Sequence, residues 1–144
     1  EIKSIGLLAS DEARHASVIE IAFAYGDASV AVVVSADAGQ WFAERKGYCS
    51  SYGSELDVVR IELPPGYSVS LNELPKNYKE ANAIFVFVET VGKSDITLLK
   101  TPWLVIENGD ITVRSGPPGK KRSSNKKRDK KSKNRPNRGK QRPC

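Results

Sequence analysis

An antiparallel β-sandwich of about seven strands with one short helix is the fold class predicted for residues 1–116, and three observations predict it. Short apolar runs recur with period-two alternation, tight-turn signals separate them, and strands follow strands instead of alternating with helices. Only the segment near Trp41 carries helix signals at both ends. From Pro117 onward the apolar pattern stops, so residues 117–144 are predicted to be a disordered Lys/Arg-rich tail rather than part of the domain.

The elements follow in order. Ile5 to Ala9 is a first strand or an ordered lead-in. Ser17 to Tyr25 alternates, with Ile19, Ile21, Phe23 and Tyr25 on one face and Glu20, Ala22 and Ala24 on the other, the pattern of a half-buried strand. Gly26-Asp27 turns the chain, and the β-branched run Val30 to Val34 reads as a second, well-buried strand. Asp37 stands three residues before Gln40, Ala38, Trp41 and Phe42 fall at helical spacing, and Arg45-Lys46-Gly47 closes the segment, so a helix is predicted over 38–46. Trp41 and Phe42 are expected to pin that helix to the sheet.

Tyr48 to Glu55 is polar and reads as a loop. Val58 to Leu63 alternates again, Pro64-Pro65-Gly66 has the residue order of a type II turn, and Tyr67 to Leu71 resumes a strand, so the two are read as strands joined by a tight corner. Ala83 to Val88 (AIFVFV) is apolar on both faces and fits a central strand. Ile96 to Leu99, Trp103 to Ile106 and Ile111 to Val113 complete the series. Asn108-Gly109 between the last two is a hairpin signal that calls for positive φ at both turn positions.

Charge divides the chain. Residues 117–144 hold 13 of its 23 Lys+Arg against one acid, Asp129, and so carry +12, which leaves residues 1–116 at −6 out of the overall +6. The basic positions are Lys120, Lys121, Arg122, Lys126, Lys127, Arg128, Lys130, Lys131, Lys133, Arg135, Arg138, Lys140 and Arg142. They are the candidate polyanion-binding residues, through which such an arm binds nucleic acid, serves as a nuclear address, or holds a protein against an anionic surface. A further reading makes the arm a solubilising tail, or one that folds back on the acidic domain. With no aromatic residue among the charges, nucleic-acid binding would be largely blind to sequence. With no apolar surface, the arm is expected to change the domain's stability by no more than about 1 kcal/mol.

The inventory for catalysis is thin, and no enzyme, cofactor or small-molecule substrate is expected. His15 is the only imidazole and lies in the charged stretch Asp11 to His15, where it reads as a solvated surface residue. No serine sits in a G-x-S-x-G elbow, and no Gly-rich phosphate loop occurs. Glu20, Glu62 and Glu89 are expected to face solvent. No Cys or His pair has zinc-ligand spacing, and Cys49 and Cys144 read as two free thiols, leaving the redox compartment open. No apolar run approaches the roughly 18 residues that span a bilayer. The chain opens on Glu1, which reads as a processed product or a fragment, so a signal peptide or lipid-attachment cysteine would lie upstream.

From Val30 onward the order of elements resembles the outer-membrane lipoprotein of bacterial type VI secretion systems, a small periplasmic β-sandwich. The resemblance runs over residues 30–113: the run Val30 to Val34, the segment "WFAERKGY", a polar loop ending near Leu56, "IELPPGYSVSL", "ANAIFVFV" and the terminal strand Ile111 to Val113. It implies a non-enzymatic adaptor that ties an inner-membrane secretion component to the outer membrane. The family's lipidated N-terminal cysteine is not in this chain as given, and the basic arm is no part of the family's pattern. In the family the loop after the first strand contacts the periplasmic domain of the inner-membrane partner. Carried onto this chain, that loop is Gly26, Asp27 and Ala28 with Tyr25 at its mouth, the candidate partner-binding residues. The resemblance implies a periplasmic, outer-membrane-associated location. The alternative is a cytoplasmic or nuclear sandwich module whose basic tail binds nucleic acid or ribonucleoprotein non-specifically.

Overall fold

The computed structural model describes residues 2–12, 14–117 and 141–144. Eight strands form two four-stranded sheets: β1 (Ile5–Ala9), β4 (Ser68–Leu71), β7 (Trp103–Glu107) and β8 (Asp110–Arg114) in one, β2 (Ser17–Ala24), β3 (Leu56–Leu63), β5 (Ala83–Val88) and β6 (Gly92–Asp95) in the other. Their spatial orders are β4-β1-β7-β8 and β3-β2-β5-β6. All pairs are antiparallel except β1–β7, which run parallel with Gly6 opposite Trp103. The sandwich predicted from the alternation is therefore present, with one parallel pair inside it.

Alternation decides what the second sheet buries. Ile19, Ile21 and Phe23 of β2, Val59 and Ile61 of β3, and Ile84, Val86 and Val88 of β5 point at the first sheet and share one core with Leu7, Leu104 and Ile106. The opposite face carries Ala22, Ala24, Val58, Ala83, Phe85 and Phe87, and it is covered by two helices, α1 (Asp27–Ser35) and α2 (Ala38–Ser51). Small side chains at 22, 24 and 83 let the helices approach closely. The molecule is three-layered, sheet on sheet on helices, and β2 is buried on both faces rather than half-buried.

Several local expectations are corrected. Val30 to Val34 is not a strand but the body of α1. Gly26 starts it, Ser29 is buried and exchanges hydrogen bonds with the Gly26 backbone, and Val33 is buried in the helix layer. The valines' β propensity is a weak preference, and burying Val33 against the Ala-lined sheet overrides it. Lys93 then closes the helix: its ammonium donates to the carbonyls of Val34 at 2.6 Å and Ala36 at 2.7 Å while lying 5.2 Å from the Phe85 ring centre.

The helix predicted over 38–46 begins as expected, with the Asp37 carboxylate accepting from the Gln40 amide at 2.8 Å, but it runs on to Ser51. Gly47 does not end it, because Tyr48 packs on Trp41 and Cys49 is tied down beyond the glycine, outweighing the roughly 1 kcal/mol a helical glycine costs. Trp41 is fully buried and stacks on Phe87 with ring centres 4.6 Å apart, and Phe42 is half-buried against the same layer.

At the Pro64-Pro65-Gly66 corner the turn forms: Gly66 takes φ +81° and the Tyr67 amide donates to the Pro64 carbonyl. The flanking strands do not pair with each other, however. The corner carries the chain from β3 in one sheet to β4 in the other, where β4 pairs with β1. Ile96 to Leu99 is a turn after the unforeseen strand β6, with Ile96 buried and Leu98 90% exposed. The β7–β8 hairpin forms at Asn108-Gly109, but positive φ is confined to Gly109, since Thr90 is the one non-glycine of that kind among the described residues.

The cysteines are not free. Cys49 on α2 and Cys144 form a disulfide across 95 residues, with Cα atoms 5.3 Å apart. Beside it, Arg60 and Gln141 exchange two backbone hydrogen bonds of 2.8 Å as an antiparallel bridge. Residues 141–144 therefore lie on the domain.

Candidate protein-binding site

The end of the sandwich where β2 meets α1 gathers the four residues singled out as a partner surface. Tyr25 is half-buried, its amide donates to the Glu55 carbonyl at 3.0 Å, and its hydroxyl donates to Asp57 Oδ2 at 2.6 Å. Burial raises the Tyr25 pKa, and the hydrogen bond to Asp57 with the repulsion of that carboxylate raises it further. The Asn82 amide donates to the Tyr25 carbonyl. Gly26 is packed so closely by the Glu55 carboxylate that a Cβ would overlap it. Asp27 and Ala28 are exposed, but they form the first turn of α1 and are not a loop, which corrects their expected setting. Asp27 sits where a helix N-terminus favours a negative charge.

This end is acidic. Asp57 and Glu80 both act on the Tyr25 hydroxyl, Glu55 lies against Gly26, and Asp27 follows in sequence. The positive charge brought to it is Arg142, whose Nη2 stands 3.9 Å from Asp57 Oδ1. Of the basic positions read as polyanion-binding, Arg142 thus faces a carboxylate of its own domain. Lys120, Lys121, Arg122, Lys126, Lys127, Arg128, Lys130, Lys131, Lys133, Arg135, Arg138 and Lys140 lie outside the described residues, as does the expected disorder of that stretch.

A second polar centre lies under α2. Glu20, expected to face solvent, is fully buried on the helix side of β2, where Oε1 accepts from Trp41 Nε1 at 2.9 Å and Arg45 Nε at 3.1 Å, and Oε2 from Arg60 Nη1 at 2.7 Å. Burial lowers the Arg60 pKa, but hydrogen bonding and attraction to Glu20 outweigh it and leave the guanidinium above its ordinary value. Glu62 and Glu89 are exposed as expected, and so is His15. Alternation put Glu20 on the face of Ala22 and Ala24, but its meeting with Trp41 and Arg45 depends on the helix layer.

An open groove of about 670 Å³ runs between the first turn of α2 and the β5–β6 turn, with Asp37, Phe42 and Thr90 along it. Among the described residues no cluster of His, Cys, Asp and Glu could hold a metal ion, and no helix is long and apolar enough to cross a membrane.

No family model and no curated protein matches the chain. Solved structures do. Lip of Serratia marcescens, a membrane-bound component of the type VI secretion system, superposes with a TM-score of 0.54 at 13% identity, over 77% of this chain and 95% of that one. The type VI secretion lipoprotein TssJ1 of Pseudomonas aeruginosa does so with a TM-score of 0.54 at 16% identity, over 79% and 95%. The eight-stranded sandwich with its helix layer is therefore the fold of the type VI secretion lipoproteins.

Proposed function

We propose that this chain is a non-enzymatic adaptor of a type VI-like secretion system, a periplasmic sandwich held at the outer membrane that binds the periplasmic domain of an inner-membrane secretion protein. The observation that carries the reading is the shared fold, which takes in nearly all of both secretion lipoproteins. The Cys49–Cys144 disulfide supports it independently, because such bonds persist in oxidising compartments such as the periplasm. The partner surface in this reading is Tyr25, Gly26, Asp27 and Ala28, with the exposed first turn of α1 as its centre.

Titration calorimetry of the full chain against the periplasmic domain of the inner-membrane secretion protein from the same bacterium tests it. Asp27→Lys should weaken binding about tenfold or more if this exposed acid faces the partner. Undiminished binding by both Asp27→Lys and Ala28→Arg would reject this surface, and no binding by the wild-type chain would reject the adaptor reading.

The charge split favours a second reading for the stretch from Pro117 onward: +12 in 28 residues suits an anionic surface or nucleic acid. Binding to duplex DNA that falls steeply with salt, and that is lost when these Lys and Arg are replaced by Gln, would support it.

A further inference from the structure

Among the described residues strand β3 ends its sheet, and no strand adjoins the backbone groups on its outer side. Such an edge is a template for an extended peptide. At Arg60 it is occupied by Gln141, through two backbone hydrogen bonds of 2.8 Å. One residue later Arg142 meets Asp57 at 3.9 Å, and two residues beyond that Cys144 packs against the helix layer and is joined to Cys49. Four residues thus make three different contacts: main chain to main chain, cation to carboxylate, and a covalent bond.

We propose that the outer edge of β3 from Asp57 to Arg60 is a docking edge for an extended, basic peptide segment of another protein, and that Gln141–Cys144 is a built-in competitor fastened over it by the disulfide. The occupant's chemistry is read from the segment seated there. Its backbone supplies the bridge, which demands no particular side chain, and its one charged residue meets a carboxylate in a domain whose residues 1–116 carry −6. A visiting segment with Arg or Lys beside its bridging residue satisfies both contacts. It has no need of a cysteine, because the thiol's contribution is to hold the resident segment in place. The inference does not depend on the secretion reading, since the edge, the carboxylate and the fastening are properties of this chain alone.

The disulfide sets the availability of the edge. While it is closed, the resident segment cannot leave. Once it is reduced, that segment still competes, because it remains part of the same chain, but a visitor can now displace it. The device is therefore closed by oxidation and weakened by reduction.

A fluorescent peptide of sequence Lys-Gln-Arg-Pro-Ser, followed by anisotropy, is the probe. The full chain carrying Arg142→Ala and Cys144→Ser should bind it at least about tenfold more tightly than the oxidised wild-type chain, because the disulfide and the competing charge have been removed. In that released chain Asp57→Asn should weaken binding about fivefold, and replacing the probe's arginine by glutamine should do the same. Failure of the released chain to bind, equal binding by the oxidised wild type, or indifference to both charge changes would overturn the proposal. So would reoxidised wild-type chains that pair Cys49 of one copy with Cys144 of another, which would make a second copy the occupant. Hydrogen exchange of the Arg60 amide in the wild-type chain needs no substitution. Its protection should fall by about tenfold on reduction, and unchanged protection would contradict fastening by the disulfide.

Discussion

Glu20 and Arg60 stand directly opposite each other on β2 and β3, and Arg60 Nη1 donates to Glu20 Oε2 at 2.7 Å from beneath α2. The same arginine holds Gln141 through its backbone. One residue thereby joins the buried carboxylate to the anchored chain end. Glu20 is fully buried, whereas the Arg45 and Arg60 side chains keep about a fifth of their surface in water. Glu20→Ala would strip Arg45 and the Trp41 N–H of their carboxylate and leave Arg60 only its exposed 3.5 Å contact with Glu62. It should destabilise the domain by about 3 kcal/mol in urea unfolding, the low end for a broken buried pair given the arginines' partial hydration.

Cys144→Ser tests the covalent link by stability alone. Opening a loop of 95 residues should cost about 4.7 kcal/mol in the chain-entropy account, and reduction of the wild type should reproduce that loss. A change below about 1 kcal/mol would mean that the chain end adds nothing to the fold, as its composition alone suggests.

Gly66→Val probes the sheet-to-sheet corner. Its φ of +81° strains any β-branched residue, and a Cβ there would collide with the Asp11 carboxylate. A loss of roughly 2 kcal/mol is expected in thermal or urea unfolding. Gly66→Ala should lose less, because alanine lacks the branched methyls.

How much of this was legible varies with the range of the cause. β5 is read to the residue, since AIFVFV needs no partner to announce a strand buried on both faces. The turn at Gly66 and the helix start at Asp37 are local hydrogen-bond chemistry and were equally clear. That the corner's two strands lie in different sheets was not legible, because a type II turn does not say whether the next strand stays in its sheet. α1 was hidden because a run of four valines and one alanine cannot show whether its period is two or 3.6. The signal for it lay beside them: a face of Glu20, Ala22 and Ala24 too small to meet water usefully, and Ser29 placed to cap Gly26. Of the candidate site, Tyr25 to Ala28 adjoin one another in sequence, whereas Asp57, Glu55 and Arg142 reach them only through pairings between distant parts of the chain.

Tyr25 makes one element of stability depend on pH. Its folded pKa is raised, so the neutral hydroxyl is favoured on folding; that contribution is fully present below the ordinary value of 10.0 and is lost as pH rises through the folded value. The wild type should exceed Tyr25→Phe in stability by about 1 kcal/mol from about pH 7 to about pH 9.5, the difference shrinking at higher pH. A difference that grows above pH 10 would contradict the Asp57 hydrogen bond.

Fractionation of the cells that make this chain natively, with thiol alkylation before lysis, tests the proposed envelope location most directly. The chain is predicted to sediment with the outer membrane, with Cys49 and Cys144 both protected from alkylation until a reductant is added. Recovery in the cytosol with both thiols alkylated and nucleic acid bound would contradict it.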